Sequence, residues 1–190
     1  MMNQETWSKS LLASYRILPK IVKSIDSYTM SLALGSFSYA GNTLDLMQKI
    51  IDNNKRKEAL INAKVIVDNT LQDLKPKYRE VLELKYLKKT SFEDIAKNLG
   101  ICLRTVFRRY AFALKSFSAI CKSKGYDEEW LDKRYGRDAL FVRLNETHSW
   151  QLEKNCARQE NTVNGKIKKL ACAVAGVLAT NAVGESLAEN

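Results

Sequence analysis

An all-α chain is what the sequence predicts, on three observations. Glycine and proline are scarce, 8 and 2 among 190 residues, too few to punctuate a many-turned β-fold. Apolar residues recur at three- and four-residue steps, the spacing of one helical face. Capping residues and turn glycines fall at the ends of those periodic stretches. With 45% hydrophobic residues, the chain can bury the cores of one or two small domains.

The first element is expected over residues 5–33, where Trp7, Leu11, Leu12, Tyr15, Leu18, Val22 and Ile25 share a face. Pro19 either kinks this helix or splits it in two. GSFSYAGN, residues 35–42, reads as a loop with turn residues at both ends. A second long helix is expected over residues 43–74, with Thr43 as N-cap and Leu46, Ile50, Ile51, Leu60, Ile61, Val65 and Leu71 giving helical spacing. Asp52-Asn53-Asn54-Lys55 is a soft spot where that helix could break. Residues 1–73 are therefore expected to form long N-terminal helices, a hairpin or coiled coil, serving oligomerisation or attachment to a larger partner.

Three shorter helices should follow. The first opens at Leu74-Lys-Pro-Lys-Tyr-Arg79, where proline suits the first turn because its missing N–H has no helical partner there. Tyr78, Val81, Leu82 and Tyr86 supply its apolar face, and Lys88-Lys89 its end. The second begins at Ser91, an N-cap with Asp94 three residues on. Phe92, Ile95, Ala96 and Leu99 fall at i, i+3, i+4 and i+7, and Gly100 follows where a helix end calls for positive φ. The third starts at Cys102 or Leu103 and should bury Val106, Tyr110, Ala113, Leu114 and Phe117. Its outward face carries Leu103, Arg104, Phe107 and Arg108, with Thr105 and Arg109 at the shoulder. Arg104 and Arg108 are i, i+4 neighbours, mutually repulsive by a few tenths of a kcal/mol unless an anion lies against them.

The charge distribution singles out the same segment. The chain carries a net +10, yet residues 1–74 hold only +2 and residues 126–190 hold −1, leaving +9 on residues 75–125. Such concentration points to one polyanion-binding module. A short capped helix, a glycine turn and an arginine-bearing third helix together follow helix-turn-helix logic, in which the third helix enters the major groove of DNA.

Beyond Gly125, YDEEWLDKRYGRDALF reads as one further helix, residues 144–164 are polar and weakly periodic, and residues 166–184 are rich in Ala, Val and Leu. Residues 126–190 are thus expected as a helical extension or partly disordered tail. The apolar run from Leu170 to Val183 falls short of the roughly twenty residues a bilayer span needs, so no membrane association is expected. No signal peptide is visible at MMNQETWSKS, and a cytoplasmic setting with reduced thiols is expected. Cys102, Cys121, Cys156 and Cys172 contain no C-x-x-C pair, and the single His148, near Glu146 and Glu153, reads as a surface residue. These patterns offer no metal site, cofactor loop or catalytic group, so no enzyme is expected.

Residues 74–117, LKPKYREVLELKYLKKTSFEDIAKNLGICLRTVFRRYAFALKSF, resemble region 4 of the sigma-70 family. The Arg-x-Val-Leu-x-Leu-x-Tyr first helix, the Asp-Ile-Ala second helix, the Leu-Gly-Ile turn and the Thr-Val third helix ending in Ala-Leu carry the likeness. Similar units occur in phage late-gene activators. The resemblance implies a DNA-binding domain over residues 74–125 that reads a −35-type promoter element and touches RNA polymerase. It implies base reading by Leu103, Arg104, Phe107 and Arg108. It implies backbone contact or capping by Arg79, Ser91, Cys102, Thr105 and Arg109. Two departures stand out. Cys102 replaces the usual hydroxyl N-cap, and Leu103 and Phe107 are apolar where polar readers are common, leaving thymine methyls or nothing as their contacts. Residues 1–74 show no region 2 pattern, the helical domain that melts the −10 element. The expectation is therefore a sequence-specific transcription regulator, bacterial or phage, acting on double-stranded DNA. A bona fide sigma factor recruiting core polymerase, and a non-DNA-binding helical adaptor, are its alternatives. A homodimer is an open option.

Overall fold

The computed structural model describes residues 3–35 and 42–148. The described residues contain helices and no strand. The helices are α1 (Gln4–Ser14), α2 (Leu18–Leu34), α3 (Thr43–Gln72), α4 (Pro76–Leu82), α5 (Phe92–Leu99), α6 (Leu103–Ser123) and α7 (Glu128–Tyr135). Residues 139–148 are also helical. Most of the loop expected at 35–42, and everything expected beyond residue 148, lie outside the described residues.

The expected first helix is two. Pro19 sits in the first turn of α2, where its missing N–H costs nothing. The chain breaks just ahead of it, and the Ile17 N–H donates to the Ser14 carbonyl at 2.8 Å. The soft spot at 52–55 does not break: α3 runs unbroken for 30 residues. Tertiary contacts override local propensity there. Lys57 pairs with Asp26 of α2 at 2.5 Å, and Arg56 pairs with Asp138 at 2.7 Å. α2 packs along α3 as a helical hairpin.

One buried cluster gathers Trp7, Leu11 and Leu12 of α1, Leu60, Ala63 and Val67 of α3, Phe117 and Cys121 of α6, Leu131 and Tyr135 of α7, and Phe141. The cluster draws on residues from all three expected segments, 1–73, 74–125 and 126–190. α1 is its strap. Trp7 is fully buried, stacks obliquely near Phe141, and donates its indole N–H to Asp132 at 3.1 Å. Ser8 meets Ser118 of α6 hydroxyl to hydroxyl at 2.7 Å, and the Gln4 amide donates to the Tyr126 carbonyl at 3.0 Å. Fully burying an aromatic ring contributes roughly 1.5–3 kcal/mol, and the Trp7 indole N–H and the Ser8 hydroxyl retain partners while buried. No helix of the described residues is long and apolar enough to cross a membrane.

Candidate nucleic-acid interface

α5 and α6 are set by their ends. The Ser91 hydroxyl accepts from the Asp94 N–H at 3.1 Å and donates to the Asp94 carboxylate at 2.7 Å. Glu93 and Asp94 add negative charge to the first turn, where the helix dipole favours it. At the other end the Ile101 N–H donates to the Ala96 carbonyl at 3.1 Å and the Gly100 N–H to the Lys97 carbonyl at 3.3 Å. This is a Schellman closure. Gly100 adopts φ 61°, and an added Cβ would meet nothing within 4 Å. The backbone angle, not space, is what calls for glycine here. The preceding turn, between α4 and α5, has no glycine. A π-helical turn, Glu83–Leu87, extends α4, and Lys89 takes φ 54°, a left-handed angle that costs a side-chain-bearing residue roughly 1–2 kcal/mol.

α6 buries Val106, Ala113, Leu114 and Phe117 and half-buries Tyr110, the inward face that its periodicity predicts. Leu103, Arg104, Phe107 and Arg108 are exposed, and Thr105 and Arg109 are half-buried on its shoulder. Among the described residues no ion pair engages Arg104, Arg108 or Arg109; the ion pairs lie elsewhere, as in Lys124–Asp73 and Lys64–Asp68. An ordered row of arginines without counter-charges is a ready surface for phosphate or guanine.

The two flanks of α6 differ. Toward α5, Phe107 leans on Phe92 with ring centroids 4.8 Å apart, and Phe92 meets the edge of Tyr110 at 5.2 Å. The Lys85 ammonium lies 3.9 Å from the centre of the Phe92 ring, a cation–π contact. Behind them Tyr86 and Tyr110 share a hydroxyl–hydroxyl bond of 2.9 Å. Burial raises the pKa of both phenols, so the pair remains protonated. Toward α4 lies a groove of about 420 Å³ lined by Lys77, Tyr78, Thr105, Arg108, Arg109 and Phe112. Lys77 and Phe112 escaped the sequence reading. Phe112 is 52% exposed, at a position three residues beyond Arg109 that the outward-face count did not reach. Lys77 is separated from the arginines by the whole of α5.

Two expected backbone-contact residues have additional partners. Arg79 donates from one guanidinium nitrogen to the carbonyls of Gln72 at 2.6 Å and Leu74 at 3.3 Å. A cation thereby satisfies carbonyls that the end of α3 leaves open. Cys102 occupies the N-cap position of α6 without a side-chain cap bond. Its sulfur lies 3.1 Å from the Thr105 hydroxyl. That hydroxyl, with neighbouring backbone N–H groups, pulls the exposed Cys102 thiol below its ordinary pKa. Buried Cys121 moves the other way, to about 11, because burial disfavours its thiolate.

The short capped helix, the left-handed glycine and the arginine-faced helix packed across it define a helix-turn-helix unit. Residues 64–117 match the family model described as sigma-70, region 4, so the chain carries a sigma-70 region 4-like helix-turn-helix domain. The match begins within α3, so the last turns of that helix belong to the unit along with α4, α5 and most of α6. No curated protein and no solved structure matches the chain.

Proposed function

We propose that the protein is a sequence-specific double-stranded DNA-binding regulator of transcription, with residues 103–116 of α6 in the major groove. The observation that carries this reading is the exposed row Arg104–Arg108, without an ion pair among the described residues, on the outward face of a helix whose opposite face is locked into the core. Arg104, Arg108, Leu103 and Phe107 would face bases. Arg109 and Lys77, across the groove from each other, would hold one DNA strand's phosphates, and Ser91 and Thr105 would lie near the backbone on either side. Cys102 leaves the first N–H groups of α6 without a side-chain cap, and these groups with the helix dipole would favour a phosphate there. Arg79 would act on the backbone from its seat at the end of α3.

Region 4 units of sigma factors also touch RNA polymerase, which keeps a sigma factor as the second reading. The exposed Met30, Leu34, Leu44 and Met47 of α2 and α3 support a partner-binding role for residues 1–73, whether polymerase or a second copy. A binding titration of the full chain against random duplex and against duplex selected from a random pool tests the proposal. Selective binding that falls steeply with salt is expected. Lys77→Ala and Arg109→Ala should each flatten the salt slope by about one. Equal affinity for random and selected duplex would overturn the regulator. Promoter-specific initiation after co-purification with core polymerase would favour the sigma factor, and a palindromic selected site would mark a dimer.

A further inference from the structure

The outward face of α6 is half apolar. Leu103 and Phe107 keep 37% and 46% of their surface exposed, one turn apart on the same side of the helix. The Phe107 ring is held in place. Phe92 supports it from α5, Tyr110 supports Phe92, and Lys85 closes the stack from the turn before α5. Helix, turn and neighbouring helix together keep an aromatic edge at the surface. A row of arginines, Arg104 and Arg108, runs alongside it with no carboxylate against them among the described residues.

An apolar ridge flanked by unpaired guanidinium groups matches a surface that is anionic and carries apolar points. The DNA major groove is such a surface, and its one apolar group is the C5 methyl of thymine. We propose that the Leu103–Phe107 ridge reads thymine methyls, so that the preferred site carries thymines beside the guanines met by Arg104 and Arg108. This inference rests on the DNA-binding reading above. Residues four apart are separated by about 6 Å along a helix axis, and stacked bases by about 3.4 Å. The two side chains therefore address thymines within about two base steps of each other.

Deoxyuridine tests this, because it pairs as thymine does and lacks only the methyl. The full chain is titrated against a duplex selected from a random pool, then against the same duplex with its thymines replaced one at a time by deoxyuridine. At one or two positions the affinity should fall about fourfold per methyl, the transfer value of one buried carbon. Leu103→Ala or Phe107→Ala should abolish the thymine–uridine difference at its own position. Arg104→Ala should lower affinity for both duplexes and preserve their ratio. Circular dichroism melting shows whether each variant is folded, and Leu103 at the exposed start of α6 provides a variant with little packing to lose. Equal binding of thymine and uridine duplexes at every position, with selective binding intact, overturns the thymine inference alone. Absence of selective binding overturns the DNA reading and the inference with it. An apolar protein partner on this ridge would leave the ratio at one.

Discussion

α3 and α6 are the two longest helices of the described residues, both rich in cations, and they handle charge in opposite ways. Along α3 three cations are paired: Arg56 with Asp138, Lys57 with Asp26, and Lys64 with Asp68 one turn on. Along the outward face of α6 the arginines have no such partners among the described residues. Each α3 pair is partly exposed and contributes little, at most about 1 kcal/mol, but the Lys57–Asp26 and Arg56–Asp138 pairs join α3 to neighbouring segments. A cation count would treat the two helices alike. The presence or absence of a counter-charge among the described residues is what separates the paired cations of α3 from the α6 arginines.

The inward faces should behave alike, and breaking them should have the largest effect. Phe117→Ala in α6 is expected to cost roughly 3–5 kcal/mol and Leu60→Ala in α3 roughly 2–5 kcal/mol, measured by denaturant unfolding. The outward faces should then diverge. Arg108→Ala should leave unfolding almost unchanged and weaken binding to a selected duplex by roughly 1–3 kcal/mol. Arg56→Ala should leave DNA affinity unchanged; a loss equal to that of Arg108→Ala would erase the distinction between the helices.

The cysteines sharpen the contrast between the two faces of α6 itself. In peptide-mapped alkylation, Cys102 should react before Cys121, with a rate that rises at a lower pH than an ordinary thiol shows. Cys121 should stay unmodified in the folded protein until the pH nears about 11. Thiolate is the reacting form, so a lowered pKa moves the rise down the pH axis and a raised one moves it up. Cys102→Ser, which supplies a hydroxyl cap to α6, should raise the melting temperature by a few degrees at most. Smallest of all, Lys57→Ala should lower stability by less than about 1 kcal/mol.

The helices whose ends carry local chemistry were legible. Ser91 with Asp94, Gly100, and the stripe through Ile95 specify α5 within eight residues, and the burial of Val106, Ala113, Leu114 and Phe117 follows from spacing alone. Contacts between distant parts of the chain were not legible. Nothing local in Trp7 or Ser8 announces Asp132 or Ser118, more than a hundred residues away. Asn53 and Asn54 look like a break until Asp26 and Asp138 are seen to hold the residues that follow them. The Gln72 and Leu74 carbonyls that Arg79 meets were not legible either, because a surface arginine beside a basic segment carries no local signature of a carbonyl partner in the preceding helix end. At the candidate site, Arg104 and Arg108 were placed by spacing, while the groove with Lys77 and Phe112 required the packing of α4 on α6.

The strap formed by α1 bears on how portable the reader is. Residues 74–125 contain α4, α5 and α6, yet α6 rests against Ser8 and shares a buried cluster with Trp7, Leu11 and Leu12. Cut out and fused to another protein, that segment would carry an open apolar flank and would tend to aggregate. A transplant would need the chain from Gln4 onward, so a gene shuffling this reader between proteins would have to move its opening helix as well.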